Sequence, residues 1–228
     1  MRALLAVSVL LPWLSSTSLA LPIIAYIPLD ERFATRGLFL NLANLLESRY
    51  EVKTPAEDVI SSLHVPANLT AIDDWLEQIL PNADSLIISI ETYVYGGLIT
   101  SRESNTSLAE VEERASKVAN FKRRFPNLKV YVSSVVMRIP GYNGDFEEPW
   151  YWEYWGYDLF EFSFHTSRYQ ALGDRDDAAE AERYKAIVPS NVMTEFLWRR
   201  GRNHNVSTLL LDLLARALSQ GHSRLPMS

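Results

Sequence analysis

Leu86-Ile87-Ile88-Ser89-Ile90-Glu91-Thr92-Tyr93-Val94-Tyr95-Gly96-Gly97-Leu98-Ile99-Thr100-Ser101-Arg102 is the stretch on which the reading of this chain turns. Leu86-Ile87-Ile88 is short, apolar and rich in β-branched residues, a strand pattern rather than a helical one. Glu91 is the first charge beyond it, and Gly96-Gly97 lets the backbone turn or approach another group closely. Open α/β sheets place their chemistry just past the carboxyl ends of buried strands. Glu91 therefore reads either as a site carboxylate or as a polar residue entering a loop.

Elements of alternating type surround it. Ile23 to Ile27 reads as a first strand running into Pro28-Leu29-Asp30-Glu31-Arg32, where proline ends regular pairing. Leu38 to Leu46 reads as a helix with Leu38, Leu42, Leu45 and Leu46 on one face. Tyr50 to Lys53 is a short strand, and Thr70 to Leu80 a helix capped by Thr70 and stopped by Pro81. Ser107-Leu108-Ala109-Glu110 is a capping box, and the helix it opens ends in Lys122-Arg123-Arg124, as the helix dipole favours. Lys129 to Val136 is a further strand. Strand and helix in alternation predict an α/β fold: a parallel sheet of about four strands with crossover helices, either an open Rossmann-like sheet or an incomplete barrel.

The pattern changes at Pro140. A loop leads through Glu147-Glu148-Pro149 into an aromatic run, Trp150 to Tyr157. Charged residues 175–185 read as a solvated helix. Ser190 to Arg200 reads as a helix ended near Gly201, and Ser207 to Leu218 as a last helix, leucine-rich on more than one face and ended at Gly221. The expected organisation is a signal segment over 1–20, a parallel α/β domain over 21–139, an aromatic and helical region packed on it over 140–221, and a tail over 222–228.

Composition narrows the function classes. The 228 residues are 47% hydrophobic and 22% charged, ordinary for a globular chain with a real core. A net charge of -6 and no basic tract argue against nucleic acid. Arg2, the apolar stretch Ala3 to Leu14 and Ser18-Leu19-Ala20 form a secretory signal pattern, so the expectation is cleavage after Ala20, export, and no stable membrane span afterwards. Asn68, Asn105 and Asn205 head N-glycosylation sequons. The absence of cysteine excludes disulfides, thiol catalysis and cysteine-bound metal. No histidine–carboxylate spacing suits a metal, and no phosphate-loop, dinucleotide or Gly-x-Ser-x-Gly motif occurs, so neither metal nor cofactor is expected.

In a parallel sheet the strand ends that carry charge lie on one edge. Asp30, Glu31 and Arg32 follow the first strand, Glu91 the central one and Arg138 the last. This set can supply an acid, a base or nucleophile, and cations that hold a polar ligand; it can equally be an ion-pair network joining loops, with Asp30 or Glu31 bound to Arg102 or Arg138. Trp150, Trp152 and Trp155 with Tyr151, Tyr154 and Tyr157 read either as a face on which sugar rings stack or as the core side of a helix. Arg199-Arg200-Gly201-Arg202-Asn203-His204 is a cationic knot at a helix junction, suited to an anion or to helix-end charge.

Three motifs together resemble domain-of-unknown-function family 4127: Ile27-Pro28-Leu29-Asp30-Glu31-Arg32; Ser89-Ile90-Glu91 with Tyr95-Gly96-Gly97-Leu98-Ile99 and Ser101-Arg102; and Arg199-Arg200 with Arg202-Asn203-His204. The resemblance runs from about Ile23 to Leu214. It implies that Asp30, Glu31, Arg32, Glu91, Tyr95, Gly96, Gly97, Arg102, Arg138, Arg202, Asn203 and His204 belong to a shared site or its scaffold. It supplies no reaction. Phe33 stands where the family's pattern has proline, and members continue past the leucine-rich helix into a further strand ending in acids, so this chain is expected to match their N-terminal half.

The functional expectation is an exported hydrolase of carbohydrate or glycoconjugate. Glu91 with Asp30 or Glu31 would form the acid/base pair. Arg32, Tyr95, Gly96, Gly97, Arg102, Arg138, Trp152, Arg202, Asn203 and His204 would line and position a small-molecule or glycan ligand. The alternative is a secreted binding protein, or a shortened relative without catalysis.

Overall fold

The computed structural model describes residues 21–47 and 49–222, with side chains to residue 216. The expected signal segment, its cleavage point after Ala20 and the tail from 223 onward lie outside the described residues. Strands β1 (Ile23–Ile27), β2 (Glu51–Lys53), β3 (Ser85–Ser89) and β4 (Lys129–Ser133) form one sheet in the order β2-β1-β3-β4. Every pairing is parallel, and the sheet is open rather than closed into a barrel. Leu86 pairs with Ala25 on one side and Val130 on the other, so β3 lies inside the sheet, as its apolar run predicts.

Helices supply the crossovers. A π-helical turn at Phe33–Gly37 leads into α1 (Leu38–Asn44). The helix forms where its leucines predict, but Leu38, Leu42, Leu45 and Leu46 are all exposed and belong to neither hydrophobic core among the described residues. Helix α2 (Leu69–Ile79) is capped by Asn68, whose side-chain oxygen accepts from Ala71 N at 3.1 Å. The expected cap, Thr70, instead lies inside the first turn, because Asn68 already satisfies an end-of-helix donor two residues earlier. Helix α5 (Leu108–Arg124) carries the capping box as read: Glu110 N donates to Ser107 Oγ, and Ser107 N to the Glu110 carboxylate at 2.9 Å. Ile72 and Leu76 of α2 and Val111, Ala115, Val118 and Phe121 of α5 close over Leu86 and Ile88.

Two short helices break the expectation of a loop after β3. Residues Ile90–Tyr95 form α3 and Leu98–Glu103 form α4, separated by the glycine pair. After β4 the chain runs without regular structure to α6 (Trp152–Leu172), α7 (Arg175–Ile187) and α8 (Ser190–His222). The last is one continuous helix of 33 residues, where two were expected. Gly201 does not end it. A Cβ added there would meet open space, Arg199 and Arg202 on either side anchor to the body of the protein, and no positive φ occurs there. Ser207 bonds back to Asn203 O instead of capping a new helix. Replacing Gly201 by alanine should therefore stabilise the protein by about 0.5–1 kcal/mol, read from urea unfolding.

Helix α8 enters two cores. Val192, Met193 and Phe196 join Tyr151, Trp152 and Leu159 in a cluster around α6, whereas Val206, with Leu209 and Leu210 beside it, belongs to the core under the sheet. The two expected regions thus share one helix. No helix among the described residues is long and apolar enough to cross a membrane.

Candidate functional site

β2 lies on one side of β1 and β3 on the other, so the chain changes direction across the sheet between β1 and β3. Their carboxyl ends flank the crevice where open α/β sheets place ligands. Asp30 follows β1 and Glu91 follows β3, both buried. Thr92 joins the two ends: its hydroxyl lies 2.7 Å from Pro28 O and 2.6 Å from Leu29 O, sharing one hydrogen between two carbonyls.

Glu91 sits in the first turn of α3, where the helix dipole favours a carboxylate. Ser89 Oγ donates to its Oε2 at 3.0 Å; Val135 N and Ser134 Oγ donate to Oε1 at 2.7 and 3.3 Å. Burial pushes its pKa up, against the downward pull of these donors. Glu91 is thus a carboxyl that lies away from every arginine pair in the crevice.

The other charges assemble into one network. Asp30 takes Arg32 Nε and NH2 on Oδ2 at 2.9 and 2.7 Å, and Arg32 N and Thr35 Oγ1 on Oδ1. Arg32 also reaches Glu147 Oε1 at 3.1 Å. Arg138 bonds Glu147 Oε2 at 3.1 Å and, through Nε, Glu148 Oε1 at 2.8 Å. Buried Arg102 donates from NH1 to Glu147 O at 2.9 Å and Glu148 Oε1 at 3.0 Å, while its buried Nε has no partner. The sequence leaves open acids from the Asp30 loop as partners for Arg102 and Arg138. Those arginines instead take Glu147 and Glu148, because the loop before α6 folds back over the sheet edge. Adjacent acids ahead of a proline, in a chain with three arginines to neutralise, were the available signal for this pair.

Glu31 leaves the group. Its Oε1 accepts from Leu63 N at 3.2 Å, and its buried Oε2 has no partner. Gly96 and Gly97 are structural. Gly96 (φ 87°) is the left-handed C-cap of α3, and Gly97 has φ 146°, where a Cβ would stand 2.6 Å from Ser61 Cβ. Gly97→Ala should cost about 3 kcal/mol, from backbone strain and overlap together, as a lower urea midpoint with an unchanged slope.

Arg202 is equally structural. Its NH1 donates to Ser104 O at 2.7 Å and Thr106 O at 3.0 Å, and its NH2 to Ser101 O at 2.9 Å. Asn203 Nδ2 also reaches Ser101 O, at 2.9 Å. The guanidinium lies 4.9 Å from the Tyr95 ring and 5.2 Å from that of Trp198. Burial without a carboxylate partner pushes its pKa down to about 10. These groups cap the carbonyl end of α4 and the turn beyond it, the role of cations at helix C-termini, so the cationic knot is directed at backbone rather than at a ligand. His204 is exposed on α8 and makes no hydrogen bond or ion pair among the described residues. Tyr95 is buried beneath Arg202, its hydroxyl unpartnered and its pKa raised by burial.

The aromatic run divides. Trp152 and Tyr151 are core, and Trp152 packs on Phe196 at 6.0 Å, which removes it from any ligand face. Trp150, Tyr154 and Tyr157 are exposed. Of the sequon asparagines, Asn68 and Asn105 are exposed beside helix starts and Asn205 is exposed mid-helix. No group of three or more His, Asp or Glu side chains among the described residues could hold a metal ion.

No curated protein and no solved structure matches the chain. A family model described as "Protein of unknown function (DUF4127)" matches residues 24–218, a span that includes β2, β3, β4 and all of β1 but its first residue, with Asp30, Glu91, the Glu147–Glu148 pair and the Arg202 clamp. The chain belongs to that family.

Proposed function

We propose that the protein is an exported hydrolase of carbohydrate or glycoconjugate substrates in which Glu91 is the acid. The observation that carries this reading is the position of Glu91: a buried carboxyl with a raised pKa at the carboxyl end of a central parallel strand, at the point where the chain changes direction across the sheet. A carboxyl held toward its protonated form can give a proton to a leaving oxygen. Asp30, fixed by Arg32 and Thr35 on the adjoining strand end, is its partner carboxylate, as glycoside hydrolysis requires two. Arg32 and Arg138 have exposed faces that suit polar substrate groups, and Trp150 replaces Trp152 as the aromatic for ring stacking.

Assay of the purified protein on a panel of glycans and chromogenic glycosides tests the reading. Turnover lost in Glu91→Gln supports it; no turnover by wild type, with the variant indistinguishable, ends it. A binding protein without catalysis is the second reading, favoured by Asp30 having both oxygens occupied within the chain. Glycan binding without turnover would select it.

A further inference from the structure

Glu148 lines a cavity of about 540 Å³. Its walls carry four carboxylates, from Glu103, Asp145, Glu148 and Glu195, and neither lysine nor arginine. Glu148 is 3% exposed, and both arginines that hold it bond Oε1. Oε2 accepts no hydrogen bond among the described residues, although the side chain lines the cavity. Oε2 is not sealed in: it is the oxygen that this otherwise buried side chain leaves accessible, where a ligand's N–H can reach it from the cavity.

The other acids differ in their balance. Glu195 is paired with Arg199, and Glu103 faces His64 Nδ1 at 3.1 Å. Asp145 is exposed, and its carboxylate has no ion pair or hydrogen bond to a side chain among the described residues. Trp150, 57% exposed, and Phe146, 72% exposed, form an apolar rim. Aromatic faces next to carboxylates attract organic cations, through the ring quadrupole and through covered apolar surface. A bare divalent ion fits less well, since no three of the described acids converge on one point and the aromatic rim offers it nothing.

We propose that this cavity binds a primary ammonium carried on a ring or compact apolar body. The ammonium donates to Glu148 Oε2 and is attracted by Asp145, and the body rests on Trp150 and Phe146. The inference is independent of any catalysis at Glu91.

Calorimetric titration of the intact protein with cyclohexylammonium and with cyclohexanol, at neutral pH and low salt, tests it. Saturable binding of the ammonium and not of the alcohol is expected. Asp145→Asn, at an exposed position that cannot disturb the core, should weaken binding several-fold, and Glu148→Gln and Trp150→Ala by about ten-fold or more. Thermal melts identify any variant that fails to fold, and Asp145→Asn then still decides. Equal binding of the two probes, no binding of the ammonium, or unchanged affinity in folded Asp145→Asn would overturn the proposal. Displacement of the ammonium by micromolar calcium would overturn it in favour of a metal site.

Discussion

Replacing Arg202 by alanine lowers the stability of the protein by on the order of 4 kcal/mol, measured as the loss in urea-unfolding free energy. This one guanidinium reaches the carbonyls of Ser101, Ser104 and Thr106; its removal leaves Thr106 O with no side-chain donor and leaves Ser101 O and Ser104 O with only Asn203 Nδ2 and Arg199 NH1. The substitution also uncovers the ring faces of Tyr95 and Trp198. Arg202→Lys should recover less than half of the loss, because one ammonium cannot reach three carbonyls that a planar fork spans. His204→Ala, two residues on at an exposed position, should change stability by no more than about 0.5 kcal/mol. If Arg202 instead served a ligand, Arg202→Ala would keep full stability and lose only binding.

On the proposed hydrolase reading, Glu91→Gln should reduce turnover by about 10²–10⁴-fold while preserving the fold, because glutamine can accept from Val135 N and Ser134 and donate to Ser89. The pH dependence carries a definite sign. Burial raises the folded-state pKa of Glu91 above its ordinary value of 4.5, so the native state binds this proton more tightly than the unfolded chain. The resulting stabilisation is complete below pH 4.5 and is lost as pH rises through the folded-state value. Wild type should therefore lose stability relative to Glu91→Gln over that interval, in paired melts at stepped pH. Wild-type turnover should fall over the same interval as the acid form is depleted, and the residual rate of Glu91→Gln should not follow it. A pH-independent stability difference would show that Glu91 has an ordinary pKa and no proton to give.

The two central strands are legible because they are largely buried: the apolar runs give β1 at its true limits and β3 within one residue, whereas the reading of the mostly exposed edge strand β4 runs on to Val136, past its end at Ser133. The capping box at Ser107 was equally clear, since its chemistry is local. Two kinds of error have physical causes. Glycine was given too much authority. At Gly96-Gly97 it does turn the chain, but between two helices, and at Gly201 the contacts of Arg199 and Arg202 with residues 101–106 hold the helix through it. The shared sheet edge offers Asp30 or Glu31 as partners for Arg102 and Arg138. Arg102 and Arg138 meet acids 46 and 10 residues away, on a loop with no periodicity to announce its path. Composition placed charge at the sheet edge correctly but could not tell the backbone clamp, Arg202, from the cations of the crevice, Arg32 and Arg138. All three are arginines beside polar residues, and only burial against carbonyls separates them.

The continuous α8 imposes an order of events on biosynthesis. Arg202 fixes the carbonyl end of α4, Arg102 on α4 fixes Glu148, and Glu148 with Glu147 fixes Arg138 over the edge of the sheet. A ribosome-bound chain that has released all four strands still lacks the guanidinium that closes this relay. The sheet can assemble early, but the crevice acquires its shape only when residue 202 has left the exit tunnel, a separation of about one hundred residues from the backbone it holds. Until then the carbonyl end of α4, the helix that carries Arg102, is without its final donors, and a nascent chain stalled before α8 should be held by chaperones through that unfinished edge rather than through the buried strands.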